Sequence, residues 1–528
     1  MEGKIMEKAI AKVDDLKDGE MKEIVIGELT LVLIKTEGKY YAIGGKCSHA
    51  GAPLAEGLLH GHTIRCPWHQ ACFNMLTGER LEPPAIDDLP RFEIKISGDD
   101  VVVEIPDSAK QQIPPKMSKP DKNDKRTFVV VGGGGAGSSA VESLRHNGYQ
   151  GRIVMITRES VLPYDRTALS KGYLKSDDAK LYFDRSKDFY DEYGVEILTE
   201  REVTEVDKST KSITFSDNSS MKYDKLLLAM GSVPRKLNVD GSNLGNIFTL
   251  RSFVDADKIK LAAKKGTKAV VIGASFIGLE SSANLADRGV SVTIVAPELV
   301  PFEKLLGNEI GNMYKVLHEE KGNQFRLGST VKAFEGDGVV QQVVLDNGEK
   351  IPADFVVLGV GVQPATKFLK GIDLNPDGSV SVDRHFQFAE DIYAVGDIAS
   401  FKWWFTGEEI RIEHWRLALQ HGIIAGSNMA GKPAEYKSIP FFWSNQVGAN
   451  LKYIGHTKGW DEIIFQGSPE KKDFIAYYVK NDKVSAVALI GNTMQMLACA
   501  QLMQENDMPT PEQLRKGSVD MAKLLGNR

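Results

Sequence analysis

Residues 127–148, TFVVVGGGGAGSSAVESLRHNG, and residues 268–289, KAVVIGASFIGLESSANLADRG, run through the same order of events. Each opens on an apolar run rich in valine, breaks at a glycine turn, continues as an amphipathic helix and closes on glycine. An unbroken apolar strand belongs inside a parallel sheet. A glycine turn opening a helix leaves backbone N–H groups facing an anion with no side chains in the way. In the first copy the turn is Gly132-x-Gly134-x-x-Gly137, with Ala136 inside it. The next strand, GRIVMITRE, ends in Glu159, about 20 residues past the last glycine, where a carboxylate can accept from an adenosine ribose. The second copy, Gly273-x-Ser275-x-x-Gly278 with Ile277 inside it, has serine at the middle position, which slightly crowds a phosphate. Its next strand, VSVTIVAPE, ends in Glu298 with no Arg or Lys beside it. A carboxylate there pairs with a ribose 2'-hydroxyl and repels a 2'-phosphate, so NADH is expected over NADPH. A solvated loop acid is the plain reading of the same Glu298. Two dinucleotide-binding α/β units in series are expected.

The chain has 528 residues, more than one hydrophobic core serves. Its 65 Lys+Arg against 71 Asp+Glu give a net charge of -6, which speaks against a nucleic-acid partner, and no apolar run is long enough for a membrane span. The segment MEGKIMEKAIAKVDDLKDGE is acidic and lacks a signal-peptide core, so an intracellular, cytoplasmic setting is expected. Upstream of the first glycine turn, MKEIVIG, TLVLIKT, KYYAIGG, RFEIKISG and DVVVEI are short alternating segments between turn residues, the pattern of a small all-β domain over residues 1–106. Residues 107–126 carry Pro, Lys and Asp in place of any apolar period and read as a solvated, flexible linker. From 432 to 528, strands such as DFIAYYVK and KVSAVALI precede a last helical stretch, the pattern of a separate α+β domain.

Only four cysteines occur, too few for a disulfide framework, and three fall close together. Cys47-x-His49 and Cys66-x-x-His69 offer two thiolates and two imidazoles from two β-loops, the ligand set of a [2Fe-2S] cluster with one iron on each pair. Zinc also accepts two Cys and two His, but zinc fingers group cysteines with cysteines and histidines with histidines. Cys72 is left over and reads as a packed thiol.

The Cys-His pattern, with Pro67 and Trp68 inside the second pair, resembles the Rieske family, and its ferredoxin-type members in particular. The extra loop cysteines of the respiratory Rieske proteins are replaced here by Ala52 and Trp68, so no loop disulfide is expected. The hydroxyl residues that bond cluster sulfur in that group correspond to Ala71 and Phe73. Hydrogen bonds to sulfur stabilise the reduced state, so their loss implies a low potential, about -150 mV.

The two fingerprints together with YDKLLLAMGSVPR, VVLGVGVQPAT and DIYAVGDIAS resemble the two-dinucleotide flavoproteins of the ferredoxin reductase and NADH oxidase kind, over residues 127–431. That resemblance implies FAD-binding segments at 127–250 and 381–431 flanking an NAD-binding segment at 251–380. It implies Asp397 on the flavin ribityl chain, and Arg166 and Lys171 of PYDRTALSK flanking the isoalloxazine. Val203 and Gly361 complete the expected nucleotide contacts. RIEHWRLALQHGIIAGSNM and IPFFWSNQVGANLKYIGH resemble the apoptosis-inducing-factor branch, whose Rieske-bearing members have this order of modules. That branch implies Trp443 against the flavin ring, Lys171 paired with Glu280, and Phe276 where the nicotinamide stacks. A surface lysine and a helix-start acid are the plain readings of Lys171 and Glu280.

No cysteine lies between Cys72 and Cys499, so a C-x-x-x-x-C redox pair, and with it disulfide reduction, is excluded from the flavin module. FAD accepts hydride from a nicotinamide without a protein base and releases electrons singly, which makes the [2Fe-2S] cluster the expected outlet. The final acceptor stays open among a ferredoxin, a cytochrome and an oxygenase. Two other functions stay open: a redox-controlled signalling protein, and the reductase component of an oxygenase system. The resemblance also allows a mitochondrial setting.

Overall fold

The computed structural model describes residues 5–369 and 372–526. It divides into two compact units: Met1–Met117 with Asn492–Pro509 and Lys516–Arg528, and Ser118–Gly491 with Thr510–Arg515.

In the first unit, six antiparallel strands lie in the order Ile5–Lys12, Asp100–Pro106, Arg91–Ser97, Lys39–Gly44, Leu29–Thr36 and Met21–Ile26. Strands Met21–Ile26 and Leu29–Thr36 join through a two-residue turn in which Gly27 takes a φ of 59°, the conformation a tight hairpin needs. A second, smaller sheet stacks Leu58–His60, Thr63–Arg65, Cys72–Asn74 and Arg80–Glu82. Its core gathers Val32, Ile34, Ile43, Leu54, Ile64, Phe73, Met75 and Leu89, all fully buried, around Cys47 and Cys66. Each such apolar side chain contributes about 1.5–3 kcal/mol by burial.

In the second unit, Val195–Leu198, Arg152–Ile156, Thr127–Val131, Lys225–Leu228 and Ile392–Ala394 form a parallel sheet edged by the antiparallel Gln387–Ala389. Helix Gly135–His146 packs on helix Trp415–Met429 at backbone distance, because Gly422 and Gly426 bring no side chain. A Cβ on Gly422 would meet Ala136 O at 2.2 Å. Between Leu228 and Gln387 the chain leaves this sheet and builds a second parallel one. Its order is Ile247–Thr249, Phe355–Leu358, Lys268–Ile272, Ser291–Ala296 and Gln324–Leu327. A five-stranded antiparallel sheet of Phe441–Gln446, Ala449–Gly455, Lys483–Ile490, Asp473–Lys480 and Glu462–Ser468 follows.

In the stretch from 432 to 528 the sheet falls in the second unit, and helices Thr493–Gln504 and Met521–Gly526 fall in the first. Residues 107–126 form no helix or strand, as expected, yet they are not loose. Ile113 exchanges both backbone hydrogen bonds with Asp88 at 2.9 Å, and the Gln111 side chain does the same with Thr30 at 2.9 Å. Within the second unit, Ser118 donates to Arg145 O and Asp121 to Gln150 O, both at 2.9 Å. Composition marked the absence of an apolar period but not these backbone pairings, which satisfy the segment's polar groups without one.

Candidate redox site

The two Cys-His pairs of the first unit stand on loops with one plan. Cys47 donates its backbone N–H to Ala52 O at 2.9 Å and accepts from Gly51 at 2.8 Å; Cys66 donates to Ala71 O at 2.8 Å and accepts from Gln70 at 3.3 Å. The fourth residue after each cysteine therefore turns left-handed, Gly51 at φ 75° and Gln70 at φ 60°. Between the loops the Nδ1 atoms of His49 and His69 stand 3.0 Å apart. One metal ion held there would take both imidazole nitrogens. The thiols of Cys47 and Cys66 lie within hydrogen-bond reach of one another, which, together with burial, raises the Cys47 thiol above its ordinary range. The two imidazoles thus face one another and so do the two thiols, which fits a binuclear centre with one iron on each pair. Ala71 and Phe73 are buried and apolar, and Cys72 is buried with its Sγ 3.6 Å from Gln70 O.

In the second unit the first glycine turn is shaped by close backbone approach. A Cβ on Gly132 would meet Ala229 O at 2.1 Å, and one on Gly137 would meet Gly132 O at 1.9 Å. At Gly134 the added Cβ would find only Arg166 Nε, at 3.8 Å, so the turn presents bare amides to open space with a cation above it. These features suit a dinucleotide pyrophosphate. Glu159 is held by Tyr164 Oη at 2.7 Å and by the Arg166 guanidinium, and burial holds the Tyr164 phenol well above its ordinary range. Arg166 therefore stands at the glycine turn, with Glu159. The backbone of Arg201 bonds Thr157 O at 3.0 Å and brings the buried Val203 towards the same strand end. Asp397 pairs with Arg251 at 3.1 Å and its carbonyl accepts from Arg411 at 3.0 Å, while the preceding Gly396 donates to His421 Nδ1 at 3.3 Å.

The second turn repeats the plan. A Cβ on Gly273 would meet Gly359 O at 2.3 Å, and one on Gly278 would meet Gly273 O at 2.1 Å. Gly361, at φ 86°, closes the neighbouring loop. Ser275 stands at the helix start without a capping hydrogen bond, and Ile277 is exposed. Glu298 does have a cation nearby: Lys304, six residues on, reaches its carboxylate at 3.3 Å. The strand-end reading missed it because Lys304 comes from the following short helix, Glu303–Leu306.

Lys171 and Glu280 meet, Nζ to Oε2 at 3.2 Å, with Glu280 almost fully buried. The backbone at Lys171 departs from helical geometry (φ -109°, ψ -119°) inside the Leu169–Tyr173 turn. Two hydroxyls without any motif of their own complete the pair: Ser170 donates to Glu280 at 2.5 Å and Ser444 at 2.7 Å. Behind Ser444 a buried chain continues through Gln446 to His318, 3.2 Å from it, and Asn323, 2.9 Å from His318. Burial holds His318 neutral, its pKa pushed down to about 4. Phe276 packs on Phe302 at 4.6 Å and on Phe442 at 4.9 Å. His414 lies 5.5 Å from Phe442 and 6.0 Å from Trp443, its pKa pushed down to about 3 by burial and by the Lys171 and Arg416 cations. The site therefore has an apolar aromatic wall with one buried, neutralised Lys–Glu pair beside it.

Three family models match in series: Rieske [2Fe-2S] domain over residues 6–93, pyridine nucleotide-disulphide oxidoreductase over 126–422, and reductase C-terminal over 441–525. The chain belongs to the pyridine nucleotide-disulphide oxidoreductase family, with a Rieske domain ahead of the reductase. It is 35% identical to apoptosis-inducing factor 3 of Homo sapiens, over 99% of this chain and 88% of that protein. It is 30% identical to putidaredoxin reductase CamA of Pseudomonas putida, over 76% of this chain and 97% of that one. Among solved structures, the covalent putidaredoxin reductase–putidaredoxin complex matches with a TM-score of 0.72 at 30% identity, covering 77% of this chain and 99% of that one. The ferredoxin reductase for the CYP199A2 system from Rhodopseudomonas palustris matches with a TM-score of 0.71 at 29% identity, covering 76% and 100%.

Proposed function

We propose that this protein is an NADH-dependent flavoprotein oxidoreductase that passes electrons from NADH through FAD to its own Rieske cluster and on to a one-electron acceptor. The observation that carries the reading is a two-plus-two Cys-His ligand set on the same chain as two bare-amide glycine turns. When bound, FAD takes up two electrons from NADH as hydride and gives them up singly to a centre that carries one at a time.

The chain's own residues do the rest. The amides around Gly134 and the Arg166 guanidinium hold and neutralise the FAD pyrophosphate, Glu159 accepts from its adenosine ribose, and Asp397 holds the ribityl chain. Lys171 keeps a positive charge beside the ring. Glu280, oriented by Ser170 and Ser444, fixes the Lys171 ammonium in place and offsets its burial cost. Phe276 and its aromatic neighbours exclude water where the nicotinamide stacks. The low Cys-His potential suits electrons leaving a reduced flavin.

The acceptor is a ferredoxin, a cytochrome or an oxygenase; the likeness to putidaredoxin reductase supports a ferredoxin among these. All four cysteines are buried outside any disulfide, which suits a reducing, cytoplasmic setting. No helix among the described residues is long and apolar enough to cross a membrane. Anaerobic titration with NADH tests the proposal. A rhombic reduced-cluster EPR signal should grow from the first additions, with flavin absorbance bleaching alongside or after it. Full flavin bleaching with an EPR-silent cluster would contradict it.

A further inference from the structure

We propose that helix Thr493–Gln504 is a working part of the cluster module, clamping the Cys66–Gln70 loop in its ligand-bearing shape, with Gln70 and Met496 as positioning residues for His69. The proposal rests on the reading that the Cys-His pairs carry a cluster.

The two ligand loops meet the same backbone demand with different residues. After Cys47 the left-handed position is Gly51, which adopts it without steric cost, and nothing lies within 4 Å of where its Cβ would be. After Cys66 it is Gln70, immediately following the ligand His69, at a φ of 60° that costs a residue with a side chain more than it costs glycine, so that its surroundings must help to hold it. Those surroundings come from the far end of the chain. Gln70 is 2% exposed; its Nε2 lies against Met496 Sδ and its Oε1 is 3.5 Å from Arg65. The other guanidinium nitrogen of Arg65 reaches Gln501 Oε1 at 3.3 Å. Just past the helix, Glu505 meets His60 Nε2 at 2.7 Å. The grips at 496, 501 and 505 thus fall on residues 70, 65 and 60, from the ligand loop along the strand pair that carries it.

The helix is itself fixed. Asn492 caps it through Met494 and Gln495, and Met496, Leu497, Cys499, Leu502 and Met503 are buried. Gln495 binds the start of helix Met521–Gly526 at Asp520 (2.6 Å) and Met521 (2.8 Å). A thioether suits the contact with Gln70, because it packs as an apolar group and still accepts weakly. The orientation of a ligating imidazole sets both bond strength and potential, so loosening Gln70 should loosen His69.

The test uses full-length holoprotein: wild type, Gln70→Gly, Gln70→Ala, Met496→Ala and Gln501→Leu. Iron and sulfide are counted first. Cluster release to bathophenanthroline disulfonate is then followed by visible absorbance, and hydrogen exchange is measured at residues 66–71 and 47–52. Gln70→Ala should release the cluster about tenfold faster and shift its EPR spectrum, because it keeps the strained backbone without its ties. Gln70→Gly should fall between it and wild type. Met496→Ala and Gln501→Leu, which touch no ligand, should speed release by about threefold or more and speed exchange at 66–71 but not at 47–52. Wild-type release rates and unchanged exchange in these two helix variants would overturn the clamp. Wild-type protein without two irons and two sulfides would overturn the cluster reading instead, and exchange at 66–71 in Met496→Ala would still decide whether the helix holds the loop.

Discussion

The two glycine turns of the second unit share one backbone design and differ in how the space around them is closed. An added Cβ would strike backbone oxygen at 1.9 Å on Gly137 and at 2.1 Å on Gly278. Around the first turn, Ala136 and Tyr164 are buried, and Glu159 is held by both Tyr164 and Arg166. Around the second, Ile277 is 43% exposed, and the Glu298 carboxylate is met by Lys304, whose side chain is 84% exposed. The same phosphate seat can therefore serve a nucleotide that stays and a nucleotide that comes and goes. On the proposed function, the closed first turn suits a resident FAD and the open second turn an NADH that leaves as NAD at each turnover.

Substitution of the glycines gives the largest expected effects. Gly137→Ala should yield protein without bound flavin and with a lower unfolding temperature, since backbone, not a movable side chain, blocks the new methyl. Gly278→Ala should keep its flavin and lose reduction by NADH. Equal flavin loss from both would break the comparison. Next, Lys171→Ala should slow flavin reduction in single turnover by about 1–3 kcal/mol, the scale of a preorganised charge, and it leaves the Glu280 carboxylate buried without its cation. An unchanged rate would remove Lys171 from the ring.

Smaller effects sharpen the contrast at the second site. Glu298→Ala should narrow the NADH preference in kcat/KM by several-fold, both by removing the carboxylate and by freeing Lys304 for a 2'-phosphate; exposure keeps the change near about 1 kcal/mol. Glu298→Ala with Lys304→Ala should recover part of the preference. An unchanged ratio in Glu298→Ala would take Glu298 out of the ribose site. Behind Glu280, burial holds His318 at about 4, below the usual 6.5. The folded state resists the proton that the unfolded chain binds, so this stability is complete above pH 6.5 and declines as pH falls towards 4. At pH 5.5 the loss is about 1 kcal/mol. His318→Gln should flatten unfolding temperature against pH in that window; parallel wild-type and variant curves would contradict the assignment.

Local spacing carried most of what could be read in the sequence. Cys47, His49, Cys66 and His69 and the glycines of both turns announce themselves because their chemistry depends on neighbours a few residues away. The pairing of Lys171 with Glu280 came only through family resemblance, since nothing local links two residues so far apart. Ser170 and Ser444 carried no signal at all, for their meaning lies in a third residue, Glu280, that tertiary packing delivers. Lys304 sits beside Glu298 because the chain turns back through a short helix that strand patterns do not register. The division after Gly491 was equally hidden. The apolar residues of Thr493–Gln504 announce that the helix is buried, but not against which partner.

Single-turnover comparison of wild type with Cys66→Ser decides whether the cluster, rather than the flavin, is the outlet for electrons. The variant should lose the cluster, reduce its FAD with NADH at nearly the wild-type rate, and fail to pass electrons to cytochrome c. Cytochrome c reduction by Cys66→Ser at the wild-type rate would make the flavin itself the outlet and contradict the account.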